Sequence, residues 1–217
     1  MTTIPIAPFI PESFIEHRQD YATPWIDQWA FQNPFIHLLY PTLRHFGVAL
    51  SDIGFNKEAA NIDEVYLNIS IRRLNATIRV GVGSVTFLAY NPDWNVAPDL
   101  VEIFDMVSAK IQGFVQQSPE SQMFTLALHV MPGTFSLKEK TAQLVRPDVL
   151  GDADFYGISA YREDGYTLID KSVRHEGAAF IRLQKKFPGN MKFAEIAPII
   201  YQDEMNALQL IGISGID

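Results

Sequence analysis

Cysteine is absent from all 217 residues. That removes thiolate nucleophiles, Cys-ligated zinc, iron–sulfur clusters and disulfides from consideration. It fits a reducing cytoplasm, which is the expected compartment. Positive charge is scarce too: 17 Lys and Arg stand against 25 Asp and Glu, a formal net charge of −8. Neutralising a phosphate backbone takes clustered bases, so nucleic acid is a poor partner for the chain as a whole. No apolar run reaches the ~18 residues that a membrane-spanning helix needs. The opening MTTIPIAPFIPESF has neither a basic n-region nor a continuous apolar stretch, which argues against a secretory leader.

Catalytic and cofactor signatures are missing as well. The five histidines (His17, His37, His45, His129 and His175) form no HExxH, HxH or other short ligand spacing. Gly81-Val82-Gly83 lies inside alternating β sequence and lacks both the third glycine and the following helix of a dinucleotide fingerprint. Gly157-Ile158-Ser159-Ala160-Tyr161 lacks the second glycine of a nucleophile elbow. Asp148, Asp152 and Asp154 share a loop, without the central glycine and closing glutamate of a calcium hand. No metal, cofactor or catalytic residue is assigned.

What is present reads as an α+β protein. Residues 1–34 carry five of the thirteen prolines, with Phe9, Phe14, Tyr21, Trp25, Trp29 and Phe31. Proline fixes φ and lacks an N–H, so Pro5, Pro8 and Pro11 predict an extended, unpaired path. The aromatics then need a surface to cover, either the chain's own core or a partner subunit. Trp25 to Ala30 permits a short strand. Asn33-Pro34 predicts a helix start, and Phe35, Leu39, Leu43 and Phe46 follow at helical spacing, with Pro41 as a kink and Gly47 as a C-cap.

Alternation predicts strands at Val65–Ile71, Thr77–Val82 and Val85–Tyr90, with a bulge or bend at Gly83-Ser84. A helix follows, with Leu100, Ile103, Phe104, Val107, Ile111 and Phe114 on one face and Pro98 in its first turn. The second half predicts a strand at Phe124–Val130 and a helix at Ser136–Val145. Strands at Phe155–Tyr161, Tyr166–Val173 and Ala178–Lys185 come next, then a closing helix with Pro198 as its first turn. Arg72 aligns with Arg162 and Thr77 with Thr167, an offset of 90. The expectation is therefore an internal duplication of a strand–helix–three-strand–helix unit, with antiparallel or mixed sheets and helices on one face. The corresponding divisions are an arm (1–34), a first repeat (35–118) and a second repeat (119–217). A single compact domain is the alternative.

Val65 through Ile111, with Ser84-Val85-Thr86-Phe87 entering the third strand, and the closing Phe180–Leu210 carry a resemblance. The layout resembles sporadically distributed, uncharacterised bacterial proteins that pair a β-hairpin with a strand and long helix, then repeat the theme. The aromatic N-terminus and the Asn33-Pro34 helix depart from that pattern. The resemblance implies a fold and carries no site across.

Two function classes stay open. The first is protein–protein binding without catalysis, of an assembly or toxin-neutralising type or as a homodimer, with Trp25 and Trp29 as anchors. The second is a small-molecule binder or enzyme with a groove between two α+β units, using His129, Tyr161, Arg162 and His175. Arg174-His175-Glu176 is the densest ionisable cluster, at an expected turn. Neighbours on an extended chain point to opposite sides, so His175 and Glu176 are not expected to pair. Residues 171–192 hold six bases and one acid. They read as a guarded strand edge, or as a local anion or nucleic-acid patch.

Overall fold

The structure is a computed structural model. It describes residues 7–26, 33–56, 61–92, 97–134, 136–145, 147–151 and 153–213. The chain is mixed α+β, with antiparallel sheet and packed helices. The strands are β1 (Phe9–Asp20), β2 (Ile53–Phe55), β3 (Tyr66–Ile71), β4 (Ala76–Gly81), β5 (Ser84–Tyr90), β6 (Ser121–Met131), β7 (Ile158–Arg162), β8 (Gly165–Lys171) and β9 (Ala179–Pro188). The helices are α1 (Asn33–Leu43), α2 (Ala97–Val115), α3 (Leu137–Ala142), α4 (Pro147–Leu150) and α5 (Phe193–Leu210). The chain divides into two compact units. The larger holds Phe14–Phe124 and Lys186–Pro198, and the smaller holds Met1–Ser13, Thr125–Lys185 and Ile199–Asp217.

In the larger unit strands run in the order β2-β3-β4-β5-β1, each pair antiparallel. Alternation decides which face is buried. Leu67, Ile69, Ile71, Ile78, Val80, Val85 and Phe87 are all sealed from solvent. Helix α2 buries Leu100, Ile103, Phe104, Val107 and Ile111, the stripe its spacing predicts, and Phe104 meets Phe87 at 4.4 Å between ring centroids. Each such side chain contributes about 1.5–3 kcal/mol over its exposed state. Helix α1 buries Phe35, Leu39 and Leu43 completely. Pro41 sits in its last turn, where it removes one hydrogen bond to the carbonyl four residues back, and a 3₁₀ turn over Arg44–Phe46 ends at Gly47 with φ 80°.

The N-terminal segment departs from the expected unpaired path. Residues 9–20 form one twelve-residue strand, and Phe14 to Asp20 pair with β5. Pro11, which cannot donate, lies inside the strand but before its pairing with β5 begins at Phe14. Of the expected strand at Trp25–Ala30, Ile26 is helical and residues 27–30 lie outside the described residues.

In the smaller unit the order is β9-β8-β7. Ala179, Ile181, Leu183 and Ile169 are buried, as are Ile200, Ala207 and Leu208 of α5. Ser136 caps α3 by accepting from Glu139 N at 3.3 Å. The β7–β8 hairpin pairs Tyr161 with Tyr166, and β3–β4 pairs Ile71 with Ala76. The two hairpins thus share a register at the offset of 90. That match concerns the hairpins alone, for α1 has 11 residues and α3 only 6. Helix α5 begins at Phe193, so Pro198 is interior rather than first turn. Asp105, in the larger unit like the start of α5, accepts from Phe193 N at 2.7 Å and Ala194 N at 3.2 Å, a long-range cap that local sequence does not reveal.

Candidate functional site

Three of the residues singled out above converge in the smaller unit. β8 ends at Lys171, and the turn that follows begins with Ser172, whose Oγ accepts from Arg174 N at 3.2 Å and His175 N at 2.9 Å. Both lone pairs are then used. The hydroxyl therefore donates to His129 Nδ1, 2.8 Å away on β6, which places the His129 proton on Nε2. The His129 ring meets His175 at 5.2 Å and Phe180 at 5.0 Å. Glu12, at the start of β1, completes the group. Its Oε1 accepts from Arg174 Nη1, and its Oε2 lies 3.2 Å from His175 Nε2.

The electrostatics follow. The Glu12 pKa lies below the usual carboxylate value, first through its hydrogen bond with His175, with the Arg174 guanidinium adding to it against some desolvation. The His129 pKa is lowered, chiefly by burial; Glu12 opposes this, while His175 and Arg174 add to it. A carboxylate-held histidine is the raw material of general acid–base work. Here, however, both Glu12 oxygens are engaged, and Ser172 is only 5% exposed with every hydrogen-bonding position used. These bonds tie the turn to Glu12 of β1. His175 indeed pairs elsewhere than with Glu176. Its partner lies 163 residues away, and Glu12 is one of four acids in residues 1–34, with nothing in its local pattern to single it out.

Tyr161 and Arg162 lie at the opposite end of β8 from this cluster. Tyr161 is 80% exposed, its ring 6.0 Å from that of Tyr166, over which Arg182 lies at 5.9 Å. Arg162 reaches Asp203 of α5 at 3.7 Å, and Lys185 bonds the same carboxylate at 2.9 Å. The 171–192 bases are thus partly spent on internal partners: Arg174 on Glu12, Lys185 on Asp203 and Arg182 on Tyr166.

Trp25 is buried in the larger unit. Its Nε1 donates to Gly81 O at 2.8 Å, and its ring meets Tyr21 edge-on at 4.6 Å. Trp29 lies outside the described residues, as does Asp152. Among the described residues, no group of three or more His, Asp or Glu side chains could hold a metal, and no helix is long and apolar enough to cross a membrane.

Sequence reading gave His17 no role. In the larger unit it is 1% exposed, between Phe87, Phe124 and Phe193. The Gln122 amide donates to Pro188 O, Gly189 O and Met191 O, so its Oε1 must be the acceptor for His17 Nε2 at 2.7 Å and Gln19 Nε2 at 3.1 Å. Gln19 Oε1 in turn accepts from Ser108 Oγ at 2.9 Å. His17 Nδ1 has no partner, and burial pushes the His17 pKa down to about 4. In β1 Ser13, Ile15, His17 and Gln19 share the buried face, and the glutamine partner of His17 lies 105 residues on.

No family model matches the chain, and no curated protein matches it. Solved structures that match include the regulatory subunit of aspartate kinase from Thermus flavus, at 12% identity over 96% of this chain and 95% of that one, with a TM-score of 0.20. At that score the likeness carries no argument.

Proposed function

We propose that the protein acts by binding another protein chain rather than by catalysis, and that strand β7 of the smaller unit is the contact. One observation carries this. β7 ends the strand order, and Ser159, Ala160, Tyr161 and Arg162 are all exposed, on both faces of the strand. Natural edge strands are guarded by charge, proline or a bulge because their free N–H and C=O groups template further pairing. Ile158 to Tyr161 carries no charge and no proline, and β7 pairs with β8 without a bulge. Main-chain bonds along such an edge supply affinity, and an exposed tyrosine supplies an anchor. The Glu12 carboxylate and the Ser172 hydroxyl are spent on internal partners, which supports the same reading. The aromatic anchor thereby moves from Trp25, which its own core consumes, to Tyr161.

The test is a photoreactive benzoylphenylalanine at position 161, with exposed Leu50 of the larger unit as control. The expected result is an intermolecular adduct at 161 whose cross-linked peptide is identified by mass spectrometry. Adducts only within the chain, or equal yields at both positions, overturn the proposal.

A further inference from the structure

Resting on the β7 reading, we infer that the chain pairing with β7 is a second copy of this protein, joined antiparallel about Ala160. The argument is register and charge. Opposing β7 to itself about Ala160 sets Ser159 against Tyr161, Ile158 against Arg162 and Ala160 against Ala160. Arg162 is the one charge in the strand, and it faces an isoleucine, so no like charges meet. A net charge of −8 opposes bringing two copies together in general, which favours meeting at a strand whose one charge, Arg162, is positive.

Side chains on the open face add to this. Diagonal neighbours across an antiparallel pair lie ~7–8 Å apart, within reach of aromatic rings. The Tyr161 side chains of the two copies become such a diagonal pair. Each already sits beside its own Tyr166 at 6.0 Å, with Arg182 over that ring. Four tyrosines then form a continuous row across the joined strands, flanked by two guanidiniums. On the other face Arg162 is held by Asp203 of its own chain. In the larger unit the terminal strand β2 has three residues and offers no comparable length for pairing.

The two-fold puts Ala160 opposite itself, which permits a charge-swap test. Sedimentation velocity of the full chain is measured for wild type, Ala160→Lys, Ala160→Glu and an equimolar mixture of the two variants. Wild type is expected to dimerise. Each charged variant is expected to weaken self-association at least about tenfold, because like charges then face each other. The mixture is expected to restore the dimer, which shows that both variants still fold. A wild type that stays monomeric at ~100 µM, or charged variants that dimerise as wild type does, overturns the inference. A monomer whose position-161 adduct comes from a different protein overturns the second copy and leaves the β7 contact standing. A monomer with no intermolecular adduct removes both.

Discussion

His17→Phe isolates the energetic consequence of an imidazole sealed among phenylalanines. The wild-type ring is neutral and donates from Nε2 to Gln122, while Nδ1 has no partner. Burial lowers its pKa from 6.5 to about 4. The folded state therefore binds the proton less readily than the unfolded chain. The stability tied to His17 is fully present above pH 6.5 and is lost as pH falls from 6.5 towards 4. At about 1.4 kcal/mol for each tenfold change in proton affinity, the whole loss is roughly 3 kcal/mol. Phenylalanine matches the ring and cannot be protonated. It orphans nothing, because Gln122 Oε1 still accepts from Gln19. Urea unfolding of both proteins at several pH values between 4 and 8 reads the difference directly. Near pH 7.5 the two should agree within about 1 kcal/mol, the worth of one hydrogen bond. Below pH 6.5 the variant should gain on wild type by about 1.4 kcal/mol per pH unit. A pH-independent difference would refute the burial argument.

Glu204 runs the other way. Burial raises its pKa from 4.5 to about 7, so the folded state holds that proton more tightly and stability is lost as pH rises from 4.5 through 7. Glu204→Gln should match wild type below pH 4.5 and exceed it above pH 7 by up to roughly 3 kcal/mol, read from thermal melts across pH. A Cβ at Gly165 would run into the backbone carbonyl of Gln184, and one at Gly189 into that of Pro119, whereas Gly54 has nothing within 4 Å. Gly165→Ala and Gly189→Ala should each cost at least about 3 kcal/mol, and Gly54→Ala under about 1, by denaturant midpoint. Glu12→Gln removes the negative charge that holds the His129 pKa up, so that pKa should fall further, as followed by NMR titration of the His129 ring proton. A rise would contradict the cluster described here.

Local pattern made much of this fold legible. The alternation of Leu67, Ile69 and Ile71 and the stripe from Leu100 to Ile111 depend on neighbours a few residues apart, and each stands where its spacing puts it. Residues 9–20 read as an arm because prolines near the start of β1 mask the strand that follows, and a strand's partner is not written beside it. Helix α5 was started late for a similar reason: Asp105 caps it from 88 residues away. The candidate site divides the same way. His129, Arg174 and His175 drew notice as residue types, yet Glu12, which joins two of them, was visible only once β1 was placed. The edge position of β7 is a property of sheet order, which alternation does not encode.

The most direct test of the β7 contact is amide hydrogen exchange on the purified chain at a low and a high concentration. The account predicts that amides of residues 158–162 become protected as concentration rises, with β2 of the larger unit unchanged. Concentration-independent exchange at β7, or protection that grows elsewhere and not there, would contradict it.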